Sequence, residues 1–442
     1  MRRALLLAFA LTAAAPRAHA FCGFFVGKAD AQLFNKSSQV ALVRDGDRTV
    51  LTMSNDYQGP LSEFALVVPV PSVLTREQIH IGDRKLLERL DAYSSPRLVE
   101  YTDPDPCSLR EHAVFPMSMP MAAGSMRSRE MTDHAKAMGV TIEAAYTVGE
   151  YDILLLSATQ SEGLEAWLRE SGYRIPAHAS RALAPYIKQD MKFFVAKVNL
   201  KEQKKAGFQE LRPIQIAYES PRFMLPIRLG MANADGPQDL IIYALTRNGR
   251  VESSNYQTVK MPSDAEVPEF VQKEFGEFYK AAFARTWKQH AQRAVVTEYF
   301  WNMGWCDPCA APPLQSAELR ELGVFWLDAA SAPARLRGPA GMPLTLTRLH
   351  VRYDAEHFPE DLMFQETGDQ QNFQGRYVLN HPFRGEMKCD AREQYLTSVR
   401  ERRRREATTL AALTGWSAEK IRQRMGPDAP AHVDPWWKTL WK

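Results

Sequence analysis

Past its first twenty residues this sequence has no apolar run long enough to cross a bilayer as a helix, which takes about 20 consecutive apolar residues. Neither sign of charge dominates: 55 lysines and arginines face 52 aspartates and glutamates, a net charge of +3. That balance gives no reason to invoke nucleic acid as a partner. The local motifs of common catalysis are missing as well. There is no G-x-S-x-G, no H-E-x-x-H, no phosphate loop and no dinucleotide fingerprint, so nothing calls for a cofactor. A Ser/His/Asp triad is a spatial arrangement with no local trace, and no residue points to one. Disorder is excluded by a composition that is 45% apolar and 24% charged.

Cysteine is scarce, and where it occurs matters. The chain begins MRRALLLAFALTAAAPRAHA, with basic Arg2 and Arg3, an apolar run over 4–15 and Ala18-His19-Ala20 as an A-x-A site. This reads as a signal peptide over 1–20 and predicts an exported protein, periplasmic or extracellular. Phe21 before Cys22 argues against a lipoprotein. An exported chain meets an oxidising compartment, where disulfides are the default. The five cysteines, Cys22, Cys107, Cys306, Cys309 and Cys389, are odd in number, so one is left over or pairs with another molecule. The expected bonds are Cys22–Cys107 within the first β-rich stretch and Cys389 to Cys306 or Cys309, with Cys309 preferred.

The chain mixes strand and helix patterns without β-α alternation. The fold class is therefore α+β: mostly antiparallel sheets, interspersed helices and a helical C-terminus. Two alternating arms flank Asp45-Gly46-Asp47, a hairpin signal. FALVVPVP (64–71) is a strand whose prolines place its end at a sheet edge. RKLLERLDAY has helical spacing. YTVGEYDILLLSA, FMLPIRLG and GVFWL read as single strands, and Ser161 as the cap of a helix that Gly172 stops. The expected organisation is a signal peptide (1–20), an N-terminal β-rich unit (21–111), a methionine-rich linker (112–139), a central α+β unit (140–290), a C-terminal β-rich unit (291–390), and closing helices with a tail (391–442).

GWCDPC (304–309) is similar to the redox motif of thioredoxins. Trp305 and Pro308 match W-C-x-P-C, the strand AVVTEYFW precedes it, and Pro343 stands before a strong strand, where thioredoxins place a cis-proline. In that reading Cys306 is the nucleophile and Cys309 the resolving thiol. Pro312 and Pro313 argue against it, because they interrupt the helix that should follow. A structural staple through Cys389 is the reading placed first.

Three further features carry a weaker chemical signal. The linker holds Met117, Met119, Met121, Met126, Met131 and Met138 with His112 and His134. Thioethers and imidazoles can hold Cu(I), though a methionine-rich loop explains the same residues. In TRLHVRYDAEHFPED, Arg348, His350 and Arg352 share one strand face, which could hold an anion. Pairing with Asp354, Glu356, Glu360 and Asp361 downstream, as a solvated network, is the plainer reading, and His350 with His357 lacks a third metal ligand. RERRRRE reads as a solvated helix with i,i+4 pairs Glu401–Arg405 and Arg402–Glu406. The tail DPWWKTLWK has the residue types of an interfacial anchor, which admits peripheral membrane contact.

The ordered series VGEYDILLLSA, EGLEAWLRESGYRIP, MKFFVAKVNL, FMLPIRLG, WCDPCAAPPL, TRLHVRY and FQGRYVL resembles a family of exported bacterial proteins known as domain of unknown function 2330, over most of the chain to about Arg400. The resemblance implies export and few cysteines; it supplies no activity. The residues favour a disulfide-stabilised protein without catalysis, an envelope or extracellular binding or structural module whose protein or envelope ligand they do not identify. A thiol-disulfide oxidoreductase using Cys306 and Cys309 and a copper-binding protein using Met117, Met119 and Met121 are the alternatives.

Overall fold

A computed structural model describes residues 24–27, 37–54, 64–107, 139–171, 179–206, 211–232, 236–304, 311–327 and 344–426. Strands and helices are numbered separately in chain order. A five-stranded sheet has the order β1 (Phe24–Gly27), β4 (Phe64–Val70), β9 (Lys192–Val198), β8 (Tyr151–Ala158), β7 (Val140–Val148), all antiparallel. A nine-stranded sheet has the order β14 (Gln257–Lys260), β16 (Ala294–Asn302), β17 (Thr345–Tyr353), β12 (Gln238–Thr246), β2 (Ser37–Asp45), β3 (Arg48–Ser54), β10 (Ile214–Glu219), β5 (Ile79–Ile81), with β19 (Phe373–Gln374) also on β16. Two small sheets complete the set. One joins β11 (Met224–Leu225), β18 (Leu362–Glu366) and β13 (Val251–Ser253); the other joins β15 (Ala265–Glu266), β20 (Arg376–His381) and β6 (Arg97–Thr102).

The helices are α1 (Arg84–Ser94), α2 (Ser161–Glu170), α3 (Ala179–Lys188), α4 (Leu200–Ala206), α5 (Arg228–Met231), α6 (Phe275–Gln289), α7 (Ser316–Glu321), α8 (Ala391–Thr414) and α9 (Ala418–Met425). Burial arranges them in four layers. The largest apolar cluster lies between the two big sheets, where Leu66, Val68, Ile153 and Phe194 meet Val40, Leu42, Ile216 and Val351. Outside the five-stranded sheet, Leu164, Leu168, Leu183 and Tyr186 of α2 and α3 pack on Val67, Phe193 and Val195. Outside the nine-stranded sheet, α1 and α7 cover one region through Leu87, Leu90 and Leu319. There, α6, α8 and α9 cover another through Phe278, Phe283, Leu410 and Ile421. Each such fully buried large side chain contributes about 1.5–3 kcal/mol. Strands from 21–111, 140–290 and 291–390 all enter the nine-stranded sheet, so divisions drawn along the chain do not coincide with sheets.

The α+β class is observed, with mostly antiparallel pairing and a helical C-terminus. The Asp45-Gly46-Asp47 hairpin forms, with Asp45 opposite Arg48. The Pro69 end of β4 has β9 on one side, and β1 reaches only as far as Val67 on the other. Among the described residues no helix is long and apolar enough to cross a membrane.

Several local expectations are corrected. YTVGEYDILLLSA is a hairpin, because Gly149, at φ +57, turns the chain between Val148 and Tyr151. FMLPIRLG keeps only a two-residue strand before α5, and GVFWL ends in a 3-10 turn over Phe325–Leu327. Gln160, not Ser161, is the cap position of α2; Gly172 lies outside the described residues. Helix α3 accommodates Pro185, with Leu183 and Tyr186 buried on either side of it.

Candidate functional site

Strand alternation puts Arg348, His350 and Arg352 on the helix-covered face of β17, as their spacing predicts. Their partners are not the expected ones. In the antiparallel register Tyr243, Ile241 and Asp239 of β12 stand opposite Arg348, His350 and Arg352. On the other side β16 carries a bulge between Thr297 and Tyr299. A bulge re-aims side chains, and here Glu298 at the bulge reaches both Arg348 and His350. Arg348 Nε donates to Glu298 Oε2 at 2.6 Å, and its Nη1 donates to Asp91 of α1 at 2.7 Å. His350 Nδ1 lies 2.7 Å from Glu298 Oε1 and its Nε2 3.2 Å from Asp239 Oδ1. Arg352 engages both oxygens of Asp239 at 2.8 Å.

The result is a chain of alternating sign: Asp91, Arg348, Glu298, His350, Asp239, Arg352. The Glu298 side chain is fully buried. Burial pushes its carboxyl up, but the charges of His350 and Arg348, with hydrogen bonds from His350 and Tyr279, draw it down to about 2. Burial likewise opposes charge on His350, yet Glu298 and Asp239 raise it above its ordinary value. The His350 ring also stacks on Phe283 of α6, ring centroids 3.6 Å apart. Asp239 is likewise held well below the carboxylate range by His350 and Arg352, against burial. With His350 charged, three anions meet three cations.

This directs the chain's chemistry. A general acid or base works best with its pKa near the operating pH. Here Glu298 and Asp239 are drawn below the ordinary carboxylate range and His350 is raised above its own, so each is shifted toward its charged form. The network joins α1, β12, β16, β17 and α6, and is costly to break one member at a time. The expected solvated network with Asp354, Glu356, Glu360 and Asp361 is therefore corrected. Those acids turn elsewhere: Asp354 takes His357 at 2.8 Å and Glu360 pairs with Arg228. Asp361 accepts from Tyr186 and the Ile227 amide, and the Glu356 amide donates to Asp354. Sequence reading missed Glu298, Asp239 and Asp91; the lone acid inside the apolar strand AVVTEYFWN was the available signal.

The cysteine pairing is corrected too. Cys107 bonds to Cys389, with Cα atoms 5.7 Å apart. Strands β6 and β20 run parallel, Thr102 beside His381, so both exit in the same direction and carry Cys107 and Cys389 to one place. This removes the expected Cys22–Cys107 bond and the expected partner of Cys306 or Cys309. Cys22, Cys306, Cys309 and Pro343 lie outside the described residues, as do Met117, Met119, Met121, His112, His134 and the DPWWKTLWK tail.

The flanks of GWCDPC are described. Before it, β16 is an interior strand of the nine-stranded sheet, antiparallel to β17. After it, Arg89 of α1 donates to the carbonyls of Pro312 and Pro313 at 3.3 and 3.0 Å and pairs with Glu318. Helix α7 begins only at Ser316 and has six residues. The long helix that the first cysteine caps in a thioredoxin is absent from the described residues after the motif. The RERRRRE stretch is also less solvated than expected. Arg402 donates to both oxygens of Asp103 at 3.0 and 2.8 Å, and Glu406 is buried.

Among the described residues no group of histidines, cysteines and acids is arranged to hold a metal. A recess of about 250 Å³ beside β5 is lined by Glu77, His80, Gln215, Arg320 and Phe325. No curated protein and no solved structure matches the chain. A family model does, described as uncharacterized protein conserved in bacteria (DUF2330), over residues 16–365. The chain, with its interleaved sheets and buried charge chain, belongs to that bacterial family.

Proposed function

We propose that this protein is an exported, disulfide-stabilised binding or structural module of the bacterial envelope or extracellular space, without catalysis. The observation that carries the reading is the Cys107–Cys389 bond, which ties the C-terminal helices to a strand near the other end of the chain. Such long-range bonds persist in oxidising compartments and are rare in the cytosol. The buried charge chain supports it, since Glu298 and His350 are spent on each other and on Arg348 and Asp239, and each is shifted toward its charged form. The test is fractionation of the native host with alkylation at lysis, followed by non-reducing peptide mapping. The Cys107–Cys389 peptide in the exported fraction is the expected result. Full-length protein in the cytosol with both thiols free overturns the reading.

One observation favours a second reading, a thiol-disulfide oxidoreductase. With Cys389 engaged by Cys107, the staple through Cys389 is lost, and Cys306 and Cys309 are left as each other's nearest partners in sequence. A bond between them closes only a small ring and adds little by chain entropy. Alkylation kinetics at pH 7 decide it. Reduced Cys306 reacting much faster than an ordinary cysteine supports the enzyme, and slow reaction removes it.

A further inference from the structure

Glu406 lies on α8 with 4% of its surface exposed, next to Ala407 of the apolar cluster that joins α8 to α6 and α9. Its nearest cation is Arg402, one turn earlier, with Nε 3.7 Å from Oε1. Arg402 is committed elsewhere, to both oxygens of Asp103, which also accepts from the Tyr395 hydroxyl at 2.6 Å. Arg403, also on α8, turns to the Met425 carbonyl. Across from Glu406 stand two acids, Glu266 of β15 and Glu269 of the 3-10 turn before α6. Asn380 donates to Glu266, and His381 and Arg384 hold Glu269. The carboxyl is thus buried and opposed by like charge, and the cation that reaches it within 4 Å among the described residues is shared with Asp103.

We propose that Glu406 makes α8 a pH-sensitive latch, docked on the body while this carboxyl is protonated and loosened when it ionises. Burial pushes the carboxyl up, Arg402 and then Arg403 pull against that, and Glu266 and Glu269 push further, so that it stands at about 7 against an ordinary 4.5. The docked state holds the proton more tightly than the loosened state. Docking is therefore fullest below the ordinary carboxylate range and weakens until the pH passes about 7, by up to about 300-fold in the docking equilibrium. The Cys107–Cys389 bond keeps the start of α8 attached throughout, so the middle and end of the helix are what loosen. Helix α8 backs α6, whose Phe283 covers His350, so loosening admits water toward the charge chain.

Hydrogen exchange read by mass spectrometry tests this on the full chain with its disulfide intact, between pH 6 and pH 8, corrected for the intrinsic rate. The expected result is that protection of α8 beyond Arg402 falls by nearly tenfold across that range while β12 and β17 keep theirs. Glu406→Gln, which mimics the protonated form, keeps α8 protected at pH 8. His381→Gln, made separately, measures how much of the slope comes from the imidazole that holds Glu269. Glu266→Gln moves the midpoint to lower pH and serves as the readout should Glu406→Gln fail to fold. Flat protection in the unmodified protein, a Glu406→Gln slope equal to the native one, or a midpoint that ignores Glu266→Gln overturns the latch.

Discussion

Replacing Glu298 by glutamine is the sharpest probe of the charge chain. The substitution keeps the shape and removes the anion between Arg348 and His350, each within 2.7 Å of a carboxylate oxygen. Arg348 then keeps Asp91, and His350 keeps Asp239. The size of the effect follows from the carboxyl's descent from 4.5 to about 2. At 1.36 kcal/mol per pH unit, the surroundings favour the anion over the neutral form by about 3 kcal/mol. Loss of one partner from a buried pair costs about 3–5 kcal/mol, which agrees. The sign is set by linkage. A carboxyl lowered on folding contributes fully above its unfolded value of 4.5, and that contribution fades as the pH falls toward 2. Urea unfolding at pH 7 should therefore show Glu298→Gln less stable by about 3 kcal/mol, and the gap should narrow steadily below pH 4.5. A loss under about 1 kcal/mol at pH 7, or a gap that stays constant down to pH 2.5, would refute the reasoning.

Three further outcomes are expected. Cys107→Ser with Cys389→Ser opens a loop spanning 282 positions, for which the chain-entropy model gives a loss of about 5 kcal/mol; denaturant midpoints of oxidised protein and variant measure it. Gly323→Ala should cost about 2 kcal/mol or more in the same assay, because Gly323 sits at φ +95 and a Cβ there would come 2.5 Å from Val50 Cγ1. His381 is raised by its hydrogen bond to Glu100 and then by Glu269, against burial. Its contribution is full below pH 6.5 and is lost as the pH rises through its folded value. His381→Gln should cost under about 1 kcal/mol at pH 6 and nothing at pH 9.

Local chemistry made part of this architecture legible. Asp45-Gly46-Asp47 carries its own hairpin signal, and Gly415 and Ser417 mark the end of α8 and the start of α9 through cap chemistry acting within one turn. Legibility fails where a distant partner decides. The alternation of Arg348, His350 and Arg352 identifies a face, but their partners depend on the registers of β12 and β16 and on one bulge. Gly149 is an ordinary glycine in an apolar stretch until β7 and β8 pair around it. Pro185 looks like a helix breaker, and only the burial of Leu183 and Tyr186 under the five-stranded sheet explains why α3 runs through it. Cysteine pairing is the extreme case, since nothing near Cys107 refers to Cys389.

That pairing has a consequence for biogenesis. Cys107 leaves the ribosome 282 residues before its partner, which at about 5–20 residues per second is about 15–60 s of synthesis. During that interval β6 has no β20 to lie against, and β2 and β3 wait for β12 and β10 on either side. No fragment ending before residue 376 contains a complete native neighbourhood for Cys107. In an oxidising compartment, truncated chains should therefore accumulate mispaired thiols, and efficient production there should depend on a disulfide isomerase acting after the last strand has been delivered.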